Sequence, residues 1–188
     1  LHPNCVTIMG GPNYNFAELD WVEQFMRKTP QIDFHIEGEG EAKFANVVES
    51  CLKNEFNPSK VKLSKPSGAC FIEPNSNACV IDTVSRIEVL DDVPSPYQTG
   101  LLDEFLADPN YCPIIETNRG CPYLCTFCDW GSMGKSKSST FSMERVVNDL
   151  EYIVENNVSK TPYLYIGDAN FGLFPRDIEI AKLLRKYK

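Results

Sequence analysis

The 188-residue chain is 43% hydrophobic and 23% charged, with a net charge of −8. This is an ordinary globular balance with room for one or two domains. The acidity excludes whole-surface binding to nucleic-acid phosphates, and no apolar run is long enough to cross a bilayer. Leu1-His2-Pro3-Asn4 has neither the basic nor the apolar region of a secretion signal. The chain starts at a residue other than Met, so the expectation is that the natural N-terminus lies upstream. Cys5-Val6-Thr7-Ile8-Met9 reads as a buried strand that stops at Gly10-Gly11-Pro12. A helix is predicted from Phe16 to Arg27, with Leu19, Val22, Phe25 and Met26 on one face, and a second strand from Ile32 to Ile36. After Glu37-Gly38-Glu39-Gly40-Glu41, the residues Phe44, Val47, Val48, Cys51 and Leu52 recur at helical spacing. Strand–helix–strand–helix predicts a parallel α/β sheet.

From Asn54 to Asn110 proline recurs among Ser and Asn, and only Cys79-Val80-Ile81 reads as a strand. This stretch reads as a connector with a little structure. A second α/β unit begins near Tyr111. It comprises a strand over Pro113–Thr117, a Gly/Ser/Lys loop from Gly131 to Ser139, and a helix capped by Ser142 with Val146, Val147, Leu150, Ile153 and Val154 on one face. A strand over Tyr163–Ile166 and a helix starting at Pro175, with Ile180, Leu183 and Leu184 on its face, complete it. Lys135 and Lys137 are the one small basic patch and read as a solvated loop.

Eight cysteines are present, and three of them crowd into Cys121-Pro122-Tyr123-Leu124-Cys125-Thr126-Phe127-Cys128. Cys5 and Cys51 fall in apolar periodic segments that read as core. That distribution argues against a disulfide framework and for a reduced, cytoplasmic protein. Thiolates spaced C-x3-C-x2-C can converge on an iron–sulfur cluster. A local set of three leaves one iron open, as catalysis at a metal requires. The rivals are a structural zinc site closed by a fourth ligand such as Cys112, and thiols without metal. Zinc sites usually bring a second C-x2-C pair or spaced histidines, whereas this chain has only His2 and His35.

Arg119-Gly120-Cys121 through Cys128, with an aromatic residue just before the last cysteine, resembles the cluster loop of the radical SAM superfamily. The resemblance implies that Cys121, Cys125 and Cys128 hold a [4Fe–4S] cluster whose open iron chelates S-adenosylmethionine. One-electron cleavage of the sulfonium then yields a 5′-deoxyadenosyl radical that takes hydrogen from substrate. It also implies that Phe127 lies beside the adenine. After the following strand, Gly167-Asp168-Ala169-Asn170 stands where the family often has a Gly-Gly-Glu motif. Gly167, Asp168 and Asn170 are thereby candidate cofactor contacts, set against a capping Asp and a turn Asn. Trp130 either shields the cluster or anchors its loop.

The paired glycine turns, followed by Val93-Pro94-Ser95-Pro96-Tyr97 and the cluster loop, resemble the subgroup in which a Rossmann-like cobalamin (B12) domain precedes the barrel. The resemblance implies that Gly10, Gly11, Gly38 and Gly40 line the cobalamin face. The alternative is a related domain that no longer binds it. The expected fold class is therefore α/β. Residues 1–56 would form the C-terminal part of a cobalamin-binding Rossmann-like domain, 57–110 a connector, and 111–188 the N-terminal part of a radical SAM (β/α) barrel. Earlier B12-domain strands would precede Leu1, later barrel strands would follow Lys188, and the fragment's open strand edge would make it poorly soluble alone. The implied activity is radical SAM chemistry with cobalamin-dependent methyl transfer. Its implied partners are a small-molecule or peptide substrate and an electron donor such as flavodoxin or ferredoxin, without membrane or nucleic acid. The alternatives are a radical SAM enzyme lacking functional cobalamin, of methylthiotransferase or peptide-modifying type, and a non-catalytic zinc or iron–sulfur module.

Overall fold

Short apolar runs next to glycine turns become strands, and the helices between them bury one stripe each. The computed structural model describes residues 5–11, 18–82, 87–123, 125–128 and 138–187. Pro12, the expected helix start at Phe16, Trp130, and Lys135 and Lys137 lie outside them. The chain divides into two compact units, Leu1–Ile87 and Glu88–Lys188.

In the first unit, β1 (Ile8–Gly10) and β2 (Phe34–Ile36) pair in parallel, with Gly10 opposite Ile36. The connecting helix α1 (Leu19–Lys28) buries Val22 and Met26 one turn apart. Asp20 in its first turn and Arg27 and Lys28 in its last complement the helix dipole. The strand starts are tied by Asp33, which accepts from Thr7 N at 2.9 Å and from Thr7 Oγ1 at 3.0 Å. Asp33 also pairs with Lys62 at 2.9 Å.

Helix α2 (Glu41–Lys53) buries Lys43, Val47, Ser50 and Cys51. The expected face is therefore rotated, leaving Phe44 51% and Leu52 64% exposed. The cause lies across from Lys43, where Gly68 has φ +85° and an added Cβ would meet Lys43 Cγ at 2.5 Å. Only glycine leaves room there for the lysine stem. The stem in turn carries Nζ to the Glu37 carbonyl at 2.7 Å.

After the short helix α3 (Pro58–Leu63), strands β3 (Ala69–Ile72) and β4 (Cys79–Val80) extend the sheet antiparallel, in the order β1-β2-β3-β4. The sheet is thus mixed, not purely parallel as expected. The turn between β3 and β4 is held by Glu73, whose carboxylate accepts from Ser76 N at 2.7 Å and from Asn75 N at 3.3 Å. A tight turn of this kind can join only antiparallel strands. Phe34 and Phe71 meet edge to face at 5.3 Å inside a core shared with Ile36, Val47, Cys51, Val61 and Ala69.

In the second unit, β5 (Ile114–Ile115) and β8 (Tyr165–Ile166) pair in parallel, and Gly167 N donates to the Ile115 carbonyl at 2.7 Å. Between them, β6 (Asn118–Arg119) and β7 (Ser139–Thr140) form an antiparallel pair. A short helix, α4 (Asp103–Leu106), precedes β5. Helix α5 (Met143–Asn156) makes the crossover, capped by Ser142 Oγ accepting from Arg145 N at 3.0 Å, and buries Val146, Leu150 and Ile153. Helix α6 (Pro175–Lys186) follows β8, with Pro175 in its first turn and Ile180 buried.

Residues 57–110, read from sequence as a connector, are shared between the two units. β3 and β4 join the first sheet, while Val93–Tyr97 packs within the second unit. There Ser95 Oγ donates to Asp149 Oδ1 at 2.6 Å, and Arg145 ties Asp149 to the Val93 carbonyl. The Tyr97 hydroxyl accepts from Ile114 N at 3.0 Å and donates to the Ile114 carbonyl at 2.6 Å. One side chain thus closes the edge of β5 that faces away from β8. Burial pushes the Tyr97 phenol above its ordinary pKa.

Among the described residues no helix is long and apolar enough to cross a membrane. Phe71→Ala removes the ring at the centre of the first core and is expected to cost about 3–5 kcal/mol, read as a lowered urea midpoint.

Candidate cluster site and paired glycine turns

All eight cysteines are free thiols. Cys51 and Cys70 are buried, and burial chiefly drives the Cys70 thiol up to about 11. Such thiols stay protonated and inert. Cys5, expected in the core, is exposed because regular pairing in β1 begins only at Ile8.

The loop cysteines differ. Cys125 is exposed, and Cys121 and Cys128 are half-buried. Their loop leaves the C-terminal end of β5, where an α/β unit places its ligands. The β6–β7 pair gathers the two ends of segment 120–138, with Asn118 opposite Thr140 and Arg119 opposite Ser139. Cys128 N donates to the Cys125 carbonyl at 3.1 Å, closing a turn between two of the three thiols. Phe127 stands 91% exposed beside them. Cys112 sits at the opposite, N-terminal end of the strand pair, where its thiol meets the Tyr163 carbonyl at 3.1 Å.

The turn after β8 reaches this loop. Asp168 accepts four hydrogen bonds: from Thr117 N at 2.6 Å, Thr117 Oγ1 at 2.5 Å, Asn118 Nδ2 at 2.7 Å and Asn118 N at 3.2 Å. Thr117 is 0% and Asn118 3% exposed, so these donors have little access to water. The Asp168 carboxylate is therefore occupied by the protein itself. Asn170 Nδ2 donates to Cys121 Sγ at 3.0 Å. Gly167 carries the strand's last hydrogen bond, and an added Cβ there would make only ordinary contact at 3.4 Å with Ile114.

In the first unit, the two glycine turns sit at the C-terminal ends of the neighbouring parallel strands β1 and β2. Gly11 and Gly38 have φ of 98° and 65°, conformations that favour glycine. Gly10 and Gly40 do not, and a Cβ on either would meet its neighbour at ordinary distance. His35, missed in the sequence reading, is fully buried on β2, edge-on to Phe25 at 5.5 Å, and hydrogen-bonds the Gly11 backbone. Burial pulls its pKa below the usual value, more than that hydrogen bond raises it. β2 is buried on both faces, at Phe34, His35 and Ile36, so reading it as a strand covered on both sides would have flagged the histidine between the two apolar residues as a core residue, but not its partner.

No protein-family model matches the chain. It is 35% identical over 188 residues to the cobalamin-dependent radical SAM methyltransferase TokK of Streptomyces tokunonensis, covering 97% of this chain and 26% of that protein. The chain belongs to the cobalamin-dependent radical SAM family. A second family relative, the 2-(S-pantetheinyl)-carbapenam-3-carboxylate methyltransferase of Streptantibioticus cattleyicolor, is 33% identical over 188 residues, with the same 97% and 26% coverage. The fold is also that of a solved structure of the cobalamin-dependent S-adenosylmethionine radical enzyme OxsB with aqua-cobalamin and S-adenosylmethionine bound. That match has a TM-score of 0.61 at 22% identity, over 94% of this chain and 23% of that one. The chain thus spans about a quarter of the length of these family members.

The family implies a cluster, and the donor chemistry fits one: three uncommitted soft thiols on a short loop, one already holding a hydrogen-bond donor. No three His, Cys, Asp or Glu side chains among the described residues are gathered on a single-ion site. A four-iron cluster asks for something else, one thiolate on each of separate irons.

Two outcomes are expected. Asp168→Ala strands the buried donors of Thr117 and Asn118 and should destabilise the second unit by about 2–4 kcal/mol, measured by thermal unfolding. His35 favours the neutral form when folded, so its contribution is complete above about pH 6.5 and is lost as pH falls below that value towards the lowered folded pKa. Urea midpoints between pH 5 and 7.5 should fall towards the acid end, and His35→Gln should flatten that slope.

Proposed function

We propose that this chain is part of a radical SAM enzyme that cleaves S-adenosylmethionine at a [4Fe–4S] cluster held by Cys121, Cys125 and Cys128, and that directs the chemistry to cobalamin-dependent methyl transfer. The observation carrying this reading is the loop of three free thiols at the C-terminal end of a parallel β-α-β unit, with Asn170 already donating to Cys121. Its resemblance to TokK over nearly the whole chain supports the methyltransferase assignment. When bound, the cluster supplies the electron for sulfonium cleavage, and the cobalamin supplies the methyl group.

The chain's own residues do the holding. The three thiols would hold the cluster and would leave one iron without a protein ligand. Phe127, nearly all in solvent, offers an aromatic face for an adenine. Asp168 keeps the strand ends and the loop neck together, which leaves its carboxylate a structural role first and a cofactor contact second. In the first unit Gly11 and Gly38 give close backbone approach for cobalamin, with His35 bracing the Gly11 turn from below and Lys43 holding the Glu37 carbonyl. We assign residues 1–56 and 111–188 to the cobalamin and barrel parts on this basis. A small-molecule or peptide substrate, a flavodoxin or ferredoxin as electron donor, and a cytoplasmic setting belong to the same reading.

Electron paramagnetic resonance on anaerobically reconstituted, dithionite-reduced protein tests it. A [4Fe–4S]⁺ signal that shifts on adding S-adenosylmethionine and disappears in Cys125→Ala is expected. One bound zinc without sulfide would overturn the assignment, and a signal indifferent to S-adenosylmethionine would mean a fourth protein ligand on the cluster.

A further inference from the structure

Asn170 lies on the turn between β8 and α6, and that turn is fixed at both ends. On one side Asp168 is locked to Thr117 and Asn118. On the other, Gly172 N and Phe174 N both donate to Asp177 Oδ2 at 2.9 Å, and Asp177 is 1% exposed. Leu173 N closes back onto the Asn170 carbonyl at 3.3 Å. Cys121 is equally constrained, following Gly120 at φ 96° and the β6–β7 neck. Two independently anchored segments thus meet in one contact, the Asn170 amide on the Cys121 sulfur at 3.0 Å. An amide N–H can only donate there, and a thiolate accepts more strongly than a thiol.

We infer that Asn170 is a positioning residue for the cluster: its side-chain amide orients the Cys121 thiolate and raises the reduction potential of the cluster that thiolate binds. The inference rests on the proposed iron–sulfur assignment and gives Asn170 a role distinct from contact with S-adenosylmethionine. The physical reason is charge. Reduction adds an electron to a cluster already surrounded by thiolates, and a fixed donor on sulfur stabilises the electron-rich state more than the oxidised one. Cys125 and Cys128 receive no such side-chain donor among the described residues, so Cys121 is the ligand through which this chain biases the cluster.

The test is an electron-paramagnetic-resonance-monitored redox titration of the reconstituted protein beside Asn170→Ala and Asn170→Asp, with iron, sulfide and far-ultraviolet circular dichroism measured on each. Asn170→Asp keeps the shape, removes the donor and adds charge, so it decides the matter if the alanine variant folds poorly. The expected result is a midpoint displaced to more negative potential in both variants, further in Asn170→Asp. At a fixed reductant potential the ratio of reduced to oxidised cluster should fall about tenfold, ~59 mV for one electron. Loss of cluster from a variant with an unchanged far-ultraviolet spectrum also supports the positioning role. Variants with full iron content, wild-type midpoint and wild-type spectrum would overturn the inference while leaving the cluster assignment standing. A wild-type protein without any cluster would overturn both.

Discussion

The second unit depends on the carboxylate of Asp168. It stands just past the end of β8 and takes hydrogen bonds from the two buried residues that follow β5, so it joins two parallel strands at the end where backbone pairing stops. Thr117 and Asn118 have nowhere else to turn. Both are almost inaccessible to water, and an unpaired donor in that position is costly. The start of the cysteine loop is tied to the end of β8 by this contact. Asn118 opens the neck of the cysteine loop, Gly120 turns the chain, and Cys121 follows. The same segment that carries Asp168 then returns with Asn170. A carboxylate that a motif comparison marks as a cofactor contact is thereby also the part that makes the loop's starting point rigid.

The first unit solves a similar problem with a cation and an imidazole. Its two glycine turns must leave parallel strands at the same end of the sheet, and open turns drift unless their carbonyls are held. Lys43 reaches one of them from the helix that follows, its stem accommodated only because Gly68 lacks a Cβ. His35 reaches the other from inside the sheet, and burial keeps it neutral near physiological pH. Neither residue belongs to a recognisable motif. Both support backbone that a motif comparison notices only through its glycines.

Much of this was legible in the residue pattern. The periodic helices at 41–53, 143–156 and 175–186, the parallel pairing in each unit and the Ser142 cap follow from local rules of spacing and capping. The antiparallel hairpin did not emerge, although Pro74-Asn75-Ser76-Asn77 between two apolar runs is a turn signature. Its strands are short, and the surrounding prolines made the whole stretch read as a connector. The rotation of α2 was also hidden, because a lysine counts as polar in any periodicity while its stem packs like an aliphatic chain.

The sequence by itself marked the candidate ligands. Three cysteines within eight residues carry their meaning in spacing alone, since thiolates so close along one short segment can reach one cluster. Only the tertiary structure decided which other residues attend that loop. Asp168 and Asn170 lie about fifty residues from the positions they grip. A hydrogen bond between such distant points depends on two strands aligning in register, and register is settled by the packing of the helices over them rather than by any local pattern.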